Sequence, residues 1–232
     1  LTFHMSPGPA DAASFVGRTG SRPLVHLQQL GVLGPHVLVA HGVHLDDAEV
    51  DAVVQTGTAI AACPWAYLRL AQGMTAAGRY ADLWRAGARL AVGCDAENAG
   101  DAVDVLRAAT LFVGLVRDRS MDSHVATADD ALALATGAGA AAIGMGSVIG
   151  AIEVGKQADL VVHGRRGPQF VPRSTDAVRQ LMWSSDGRSV DEVLVAGRHV
   201  VSGGRCITVD LDDLVDEVAR RRDWLLARRR LV

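Results

Sequence analysis

Four strand-like runs among the first hundred residues end in His4 in "LTFHM", His41 in "VLVAHGVHLDD", Cys63 in "TAIAAC" and Asp95 in "RLAVGCD", and three of those four are good metal-ligand or proton-transfer types. Each stands at or just past the end of a short apolar run of the kind that forms a strand covered on both faces. Imidazole nitrogen and carboxylate oxygen suit a borderline divalent ion, and either group can exchange a proton with water. A histidine closing such a strand is either a hydrogen-bonded core residue or part of a site. Whether the four strand ends converge separates the two readings, and that depends on the elements between them.

Those elements alternate. Between the β-like runs lie the helical stretches "RPLVHLQQLG", "DDAEVDAVVQTG", "RYADLWRAG" and "DAVDVLRAATLFVGLV". Asp46 or Asp47 can cap the second of these and Gly57 can close it. In the last, Val103, Leu106, Ala109 and Val113 recur at helical spacing and predict one buried face. Strands alternating with helices imply parallel pairing through crossover helices. In such folds, ligands and reacting groups gather at the carboxyl ends of the strands, where His4, His41, Cys63 and Asp95 stand.

Beyond about residue 120 the pattern changes. "DDALALATGAGAAAIG" predicts two short helices joined at Gly137–Gly139. "ADLVVHG", "VDEVLVAGRHVVSGG" and "RCITV" then predict a small β-rich module. The tail "LDDLVDEVARRRDWLLARRRLV" predicts an amphipathic helix with Leu211, Leu214, Val218 and Leu225 on its apolar side. Its arginines alternate with Asp and Glu and read as a solvated face, not a nucleic-acid patch. The glycines of "TGAGAAAIG" follow a helix and have the wrong spacing for a dinucleotide turn.

The totals exclude several classes. The chain has 232 residues, 49% hydrophobic, with formal net charge −3, enough for a cored protein and too near neutral for a nucleic-acid or membrane-surface partner. No run is long enough to span a membrane. Cys63, Cys94 and Cys206 are isolated, with no C-x-x-C pair. That argues for a reducing compartment, hence the cytoplasm, and against a zinc site built on cysteines.

In order, "LTFHM", "VLVAHGVHLDDAEV", "TGTAIAACPWAYLRLAQG", "GARLAVGCDAENAGD", "GSVIGAIEVGKQADLVV" and "VDEVLVAGRHVVSGGR" resemble the amidohydrolase superfamily, in its cytosine-deaminase-like and chlorohydrolase-like branch. The resemblance covers nearly the whole chain. It implies an α/β fold: the C-terminal half of a (β/α)8 TIM-type barrel plus part of a small β-sandwich. The implied limits are 1–146 for the barrel part, 147–210 for the sandwich and 211–232 for the terminal helix. It further implies one divalent metal ion, zinc first, with iron or manganese as alternatives. His4 and Asp95 would be metal ligands, and His41 and Asp95 the catalytic pair that handles the attacking water. Trp65, Tyr67 and Glu97 would contact a small-molecule substrate. The implied reaction is hydrolysis of a C–N bond in a small heterocycle, by deamination or a related displacement, in a homodimer. His44 is expected to be a loop residue beside the site, and His26, His36, His124, His163 and His199 structural or exposed.

The chain departs from the family pattern in four places. It has no His-x-His pair, which normally closes the first strand with two more ligands. It lacks the first four β-α units, a complete barrel needing about 250 residues. Pro7 stands where a Glu normally follows the fifth-strand histidine, so Glu97 or Asp11 would have to protonate a ring nitrogen. "CPWAYLRL" replaces the usual Cys-Pro-x-Ser-Asn, which makes that wall more aromatic. The chain also opens in mid-strand, and starting at Met5 would delete His4. Two ligands are too few for a catalytic zinc. The expectation is therefore the C-terminal part of a longer enzyme, with a catalytically inactive half-barrel interaction module as the alternative.

Overall fold

The computed structural model describes residues 1–100 and 103–229. Asp101 and Ala102, with which the last helix of the barrel part was expected to begin, lie outside them, as do residues 230–232 of the expected terminal helix. The chain forms two compact units, 1–156 with 168–187, and 157–167 with the described residues from 188 onward.

In the first unit, strand β1 (Thr2–Met5) leads through helices α1 (Pro9–Thr19) and α2 (Pro23–Gln29) to β2 (Leu38–His41). Helix α3 (Asp47–Thr56) connects to β3 (Ala59–Ala62), and α4 (Pro64–Arg69), α5 (Met74–Ala77) and α6 (Tyr80–Arg85) connect to β4 (Arg89–Val92). After β4 come α7 (Glu97–Gly100), α8 (Val105–Ser120), α9 (Ala128–Ala135), α10 (Gly137–Ala142) and α11 (Ala177–Ser184). The strands pair in parallel, in the consecutive order β1-β2-β3-β4. Such a run with a helical crossover between each pair is a segment of a barrel wall. A doubly wound sheet would reverse its strand order at a switch point.

The pairing register decides what each face carries. Phe3, Val39, Ile60 and Leu90 lie in one row and pack into the main core, where α8 supplies Ala109, Phe112, Val113 and Val116. The adjacent row, His4, Ala40, Ala61 and Ala91, carries small side chains beside His4, which is exposed. Burying the large apolar row against helices is what holds the strand ends in register, because a one-residue slip would turn that row to the other face.

Local signals explain most helix limits. Asp46 caps α3 by accepting from the Glu49 amide at 2.9 Å, and Gly57 closes it at φ +67°. Helix α8 begins later than the apolar spacing predicted. The Asp104 carboxylate accepts from the Arg107 amide at 3.0 Å, which starts the helix at Val105 and leaves Val103 71% exposed. The buried stripe is therefore Ala109, Phe112, Val113 and Val116, with Leu106 half-buried.

The second unit is an antiparallel sheet, β5 (Leu160–His163), β6 (Val190–Val195), β7 (Arg198–Ser202) and β8 (Arg205–Cys206), in the order β5-β6-β7-β8, with α12 (Leu211–Arg229). The unit boundaries differ from the expected break at residue 146. Residues 147–156 and 168–187 belong with the first unit, because Met182 of α11 is buried in its core and its carbonyl accepts from Thr110 at 2.9 Å. "RCITV" is a strand only over its first two residues. Leu211, Leu214, Val218 and Leu225 of α12 are all exposed.

Candidate metal centre

His4 sits in β1, one residue before its end, and His41 closes β2. The register pairs His4 with Ala40 and Met5 with His41, so a regular strand would send His4 and His41 to opposite faces. His41 instead has left-handed backbone, φ +76°, and its ring meets that of His4 edge to face, with centroids 4.9 Å apart. Ser6 (φ +49°) and Asp95 (φ +63°), just beyond β1 and β4, share this conformation. It costs a non-glycine residue about 1–3 kcal/mol and persists only where the surroundings impose it, typically at functional sites.

The surroundings of His41 are specific. The Tyr80 hydroxyl donates to its backbone carbonyl at 2.8 Å, and the Gly42 amide donates to the Met5 carbonyl at 2.9 Å, tying the ends of β1 and β2 together. The Tyr67 ring lies edge-on to the imidazole at 5.7 Å and stacks on Tyr80 at 6.0 Å. His41 is only 4% exposed, yet its Nδ1 has no hydrogen-bond partner. Buried polar nitrogens are nearly always paired, so an orphan here asks for a ligand.

Donor atoms of His41, Cys63 and Asp95 lie within 4.8 Å of one another. Burial lowers the His41 pKa below its ordinary value, against the opposing pull of Asp95, and favours a neutral imidazole with a free lone pair. Burial pushes the Cys63 thiol up to about 12, and the nearby Asp95 charge adds to the shift. An imidazole, a thiol and a carboxylate converging on an unpartnered nitrogen fit a divalent ion of zinc type.

The remaining expected residues fall in different places. Trp65, in α4, is half-buried with its indole nitrogen buried and unpaired, and Tyr67 is wholly buried. Glu97 is exposed on the first turn of α7. Asp11 is exposed and accepts from the Gly8 amide at 3.1 Å, and its charge still reaches His41. His44 Nε2 bonds the Gln72 carbonyl at 2.7 Å and so holds a loop. Tyr80, which sequence reasoning did not single out, positions His41. Its only sequence signal is a tyrosine opening a short amphipathic helix.

The first unit is a parallel (β/α) wall segment with metal-type donors at its carboxyl edge. The chain belongs to the Amidohydrolase family, whose model matches residues 2–200. It is 29% identical over 218 residues to the 5-methylthioadenosine/S-adenosylhomocysteine deaminase of Syntrophobacter fumaroxidans, covering 94% of this chain and 49% of that protein. The adenosine deaminase of Xanthomonas campestris, solved with bound zinc, superposes with a TM-score of 0.91 at 29% identity, over 97% of this chain and 51% of that one. The zinc-complexed atrazine chlorohydrolase of Arthrobacter aurescens shares the fold, with a TM-score of 0.85 at 23% identity over 95% of this chain and 48% of that one. The chain thus spans about half the length of the curated relatives it matches. Among the described residues no helix is long and apolar enough to cross a membrane.

Proposed function

We propose that the protein containing this chain is a metal-dependent hydrolase that cleaves a C–N bond of a small nitrogen heterocycle, by deamination or a related displacement. The observation that carries the reading is the convergence of the His41, Cys63 and Asp95 donor atoms beside an unpartnered, buried Nδ1. The names of the relatives, deaminases of adenine nucleosides, support the substrate class.

His4 and Asp95 would hold the ion, and zinc suits them. When bound, it would supply Lewis-acid acidification of the attacking water. Asp95 accepts the proton of that water and returns it to the departing nitrogen. His41, kept neutral by burial, orients the water through its free ring nitrogen. Trp65, with its unpaired indole nitrogen, offers an aromatic wall and one donor to a flat ring. Pro7 leaves the loop after β1 without a carboxylic acid, so protonation of a ring nitrogen would fall to Asp11 or Glu97. The same reading includes a homodimer in the cytoplasm.

The test is Asp95→Asn in the complete protein, assayed for ammonia release from 5-methylthioadenosine, S-adenosylhomocysteine and adenosine. Turnover should fall by about 10²–10⁴-fold, the usual worth of a positioned acid–base group. Undiminished turnover would remove Asp95 from the proposed role.

A further inference from the structure

The terminal helix α12 lies apart from the metal centre and combines an uncovered apolar side with an ordered run of charge. Leu211, Leu214, Val215, Val218, Leu225 and Leu226 recur at helical spacing on one side, and each is between 43% and 64% exposed. The helix runs for 19 residues, about 28 Å at 1.5 Å per residue, and none of its described side chains is buried. Helices in proteins take most of their stability from packing an apolar face, so this one asks for a cover. The charges are segregated along its length. Asp212, Asp213, Asp216 and Glu217 come first with no basic residue among them, and Arg220, Arg221, Arg222 and Arg228 follow. The helix dipole favours acids in the first turn and bases in the last, which does not account for charges in the middle turns. Glu217 pairs with Arg220 at 2.7 Å and Arg221 at 2.6 Å within the helix. Among the described residues Asp212, Asp213 and Asp216 form no ion pair.

We propose that α12 is a self-association surface on which two copies of this chain pair their helices antiparallel, apolar side to apolar side. The proposal rests on the homodimer in the functional reading above and names its surface. Asp213, Glu217, Arg221 and Arg228 follow one another at four- and seven-residue spacing and so run along one edge of the apolar side. A two-fold axis sets that edge of both helices on the same side of the pair, running in opposite directions. The acids of each copy then lie along the arginines of the other. A parallel pair would set acid against acid and arginine against arginine. Leu214 and Val215 stand as far before the middle of the helix as Leu226 and Leu225 stand after it, so antiparallel pairing also sets apolar groups against apolar groups. A membrane surface fits less well, because a helix lying on anionic lipid carries basic residues along its polar face and the first half of α12 carries only acids.

The experiment is sedimentation velocity on the complete protein at micromolar concentration, with two charge variants. One carries Asp213→Arg with Glu217→Arg, and the other Arg221→Glu with Arg228→Glu, so that the two helices become basic and acidic throughout. Wild type should sediment as a dimer. Either variant alone should lose at least about tenfold in dimer affinity, equal to about 1.4 kcal/mol, and an equal mixture of the two should regain the dimer. Far-ultraviolet circular dichroism checks that both variants keep their fold. A salt titration of wild type needs no variant, and its dimer should weaken as sodium chloride screens the paired charges. A dimer that persists in either variant alone, or that ignores salt, would overturn α12 as the interface and leave the homodimer standing. Variants that stay monomeric when mixed would overturn the charge-matched antiparallel pairing. A wild type that is monomeric throughout would overturn both the interface and the homodimer.

Discussion

Tyr80→Phe isolates what holds His41 in its left-handed conformation. The Tyr80 hydroxyl donates to the His41 carbonyl at 2.8 Å from a residue that is 2% exposed. Phenylalanine keeps the ring stacked on Tyr67 and edge-on to Phe112, so the change opens no cavity beyond the hydroxyl itself. The loss is one buried hydrogen bond, and leaving its acceptor unpaired costs about 1–3 kcal/mol. That is the same size as the strain of a left-handed non-glycine residue, about 1–3 kcal/mol, so the bond is large enough to offset it. For a unit of this size, about 2–4 °C per kcal/mol translates the loss into a Tm lower by roughly 2–12 °C. Circular dichroism melting of wild type and variant measures it, and cobalt titration of both reads the site. With His41 released, metal affinity should fall together with Tm. A variant that melts with wild type and binds cobalt equally well would refute the claim that Tyr80 positions His41.

Two further outcomes concern stability. Glu49 has no exposed surface and its carboxylate accepts from Arg22 Nε at 2.9 Å and from the Leu24 amide at 3.0 Å, which ties α3 to α2. Glu49→Gln should cost about 3 kcal/mol in urea unfolding, the low end for a broken buried pair because Arg22 is partly exposed, and a loss under 1 kcal/mol would show that the pairing contributes little. The lowered His41 pKa has a pH signature in the metal-free protein. The unfolded chain takes up a proton at the ordinary histidine value while the native site resists it, so stability is full above about pH 6.5 and falls as pH drops towards the lowered native pKa. Melting curves between pH 7.5 and 5 should therefore fall more steeply for wild type than for His41→Asn, and parallel curves would contradict the buried, neutral imidazole.

Much of the scaffold was legible because its signals are local. Asp46 and Gly57 mark the two ends of α3, and the Val, Ile and Leu runs of β2, β3 and β4 mark strands covered by helices. Val103 was expected on the buried face of α8 because apolar spacing continues through a residue that the Asp104 cap excludes from the helix. His4, His41 and Asp95 could be picked out as strand-end residues of the right chemistry. The meeting of His4 and His41 could not, since strand alternation puts them on opposite faces and the left-handed turn at His41 accompanies their ring contact.

Residue type and order by themselves determined a parallel α/β scaffold with donors at its strand ends and a small β-rich module after it. That follows because hydrophobic periodicity and capping act within a few residues. Tertiary structure alone decided that Cys63 faces Asp95 and His41, that Tyr80 reaches the His41 carbonyl, and that α11 packs with the barrel wall. Those contacts join residues from 22 to 72 positions apart, fixed by the packing of the core between them and encoded in no single stretch of chain.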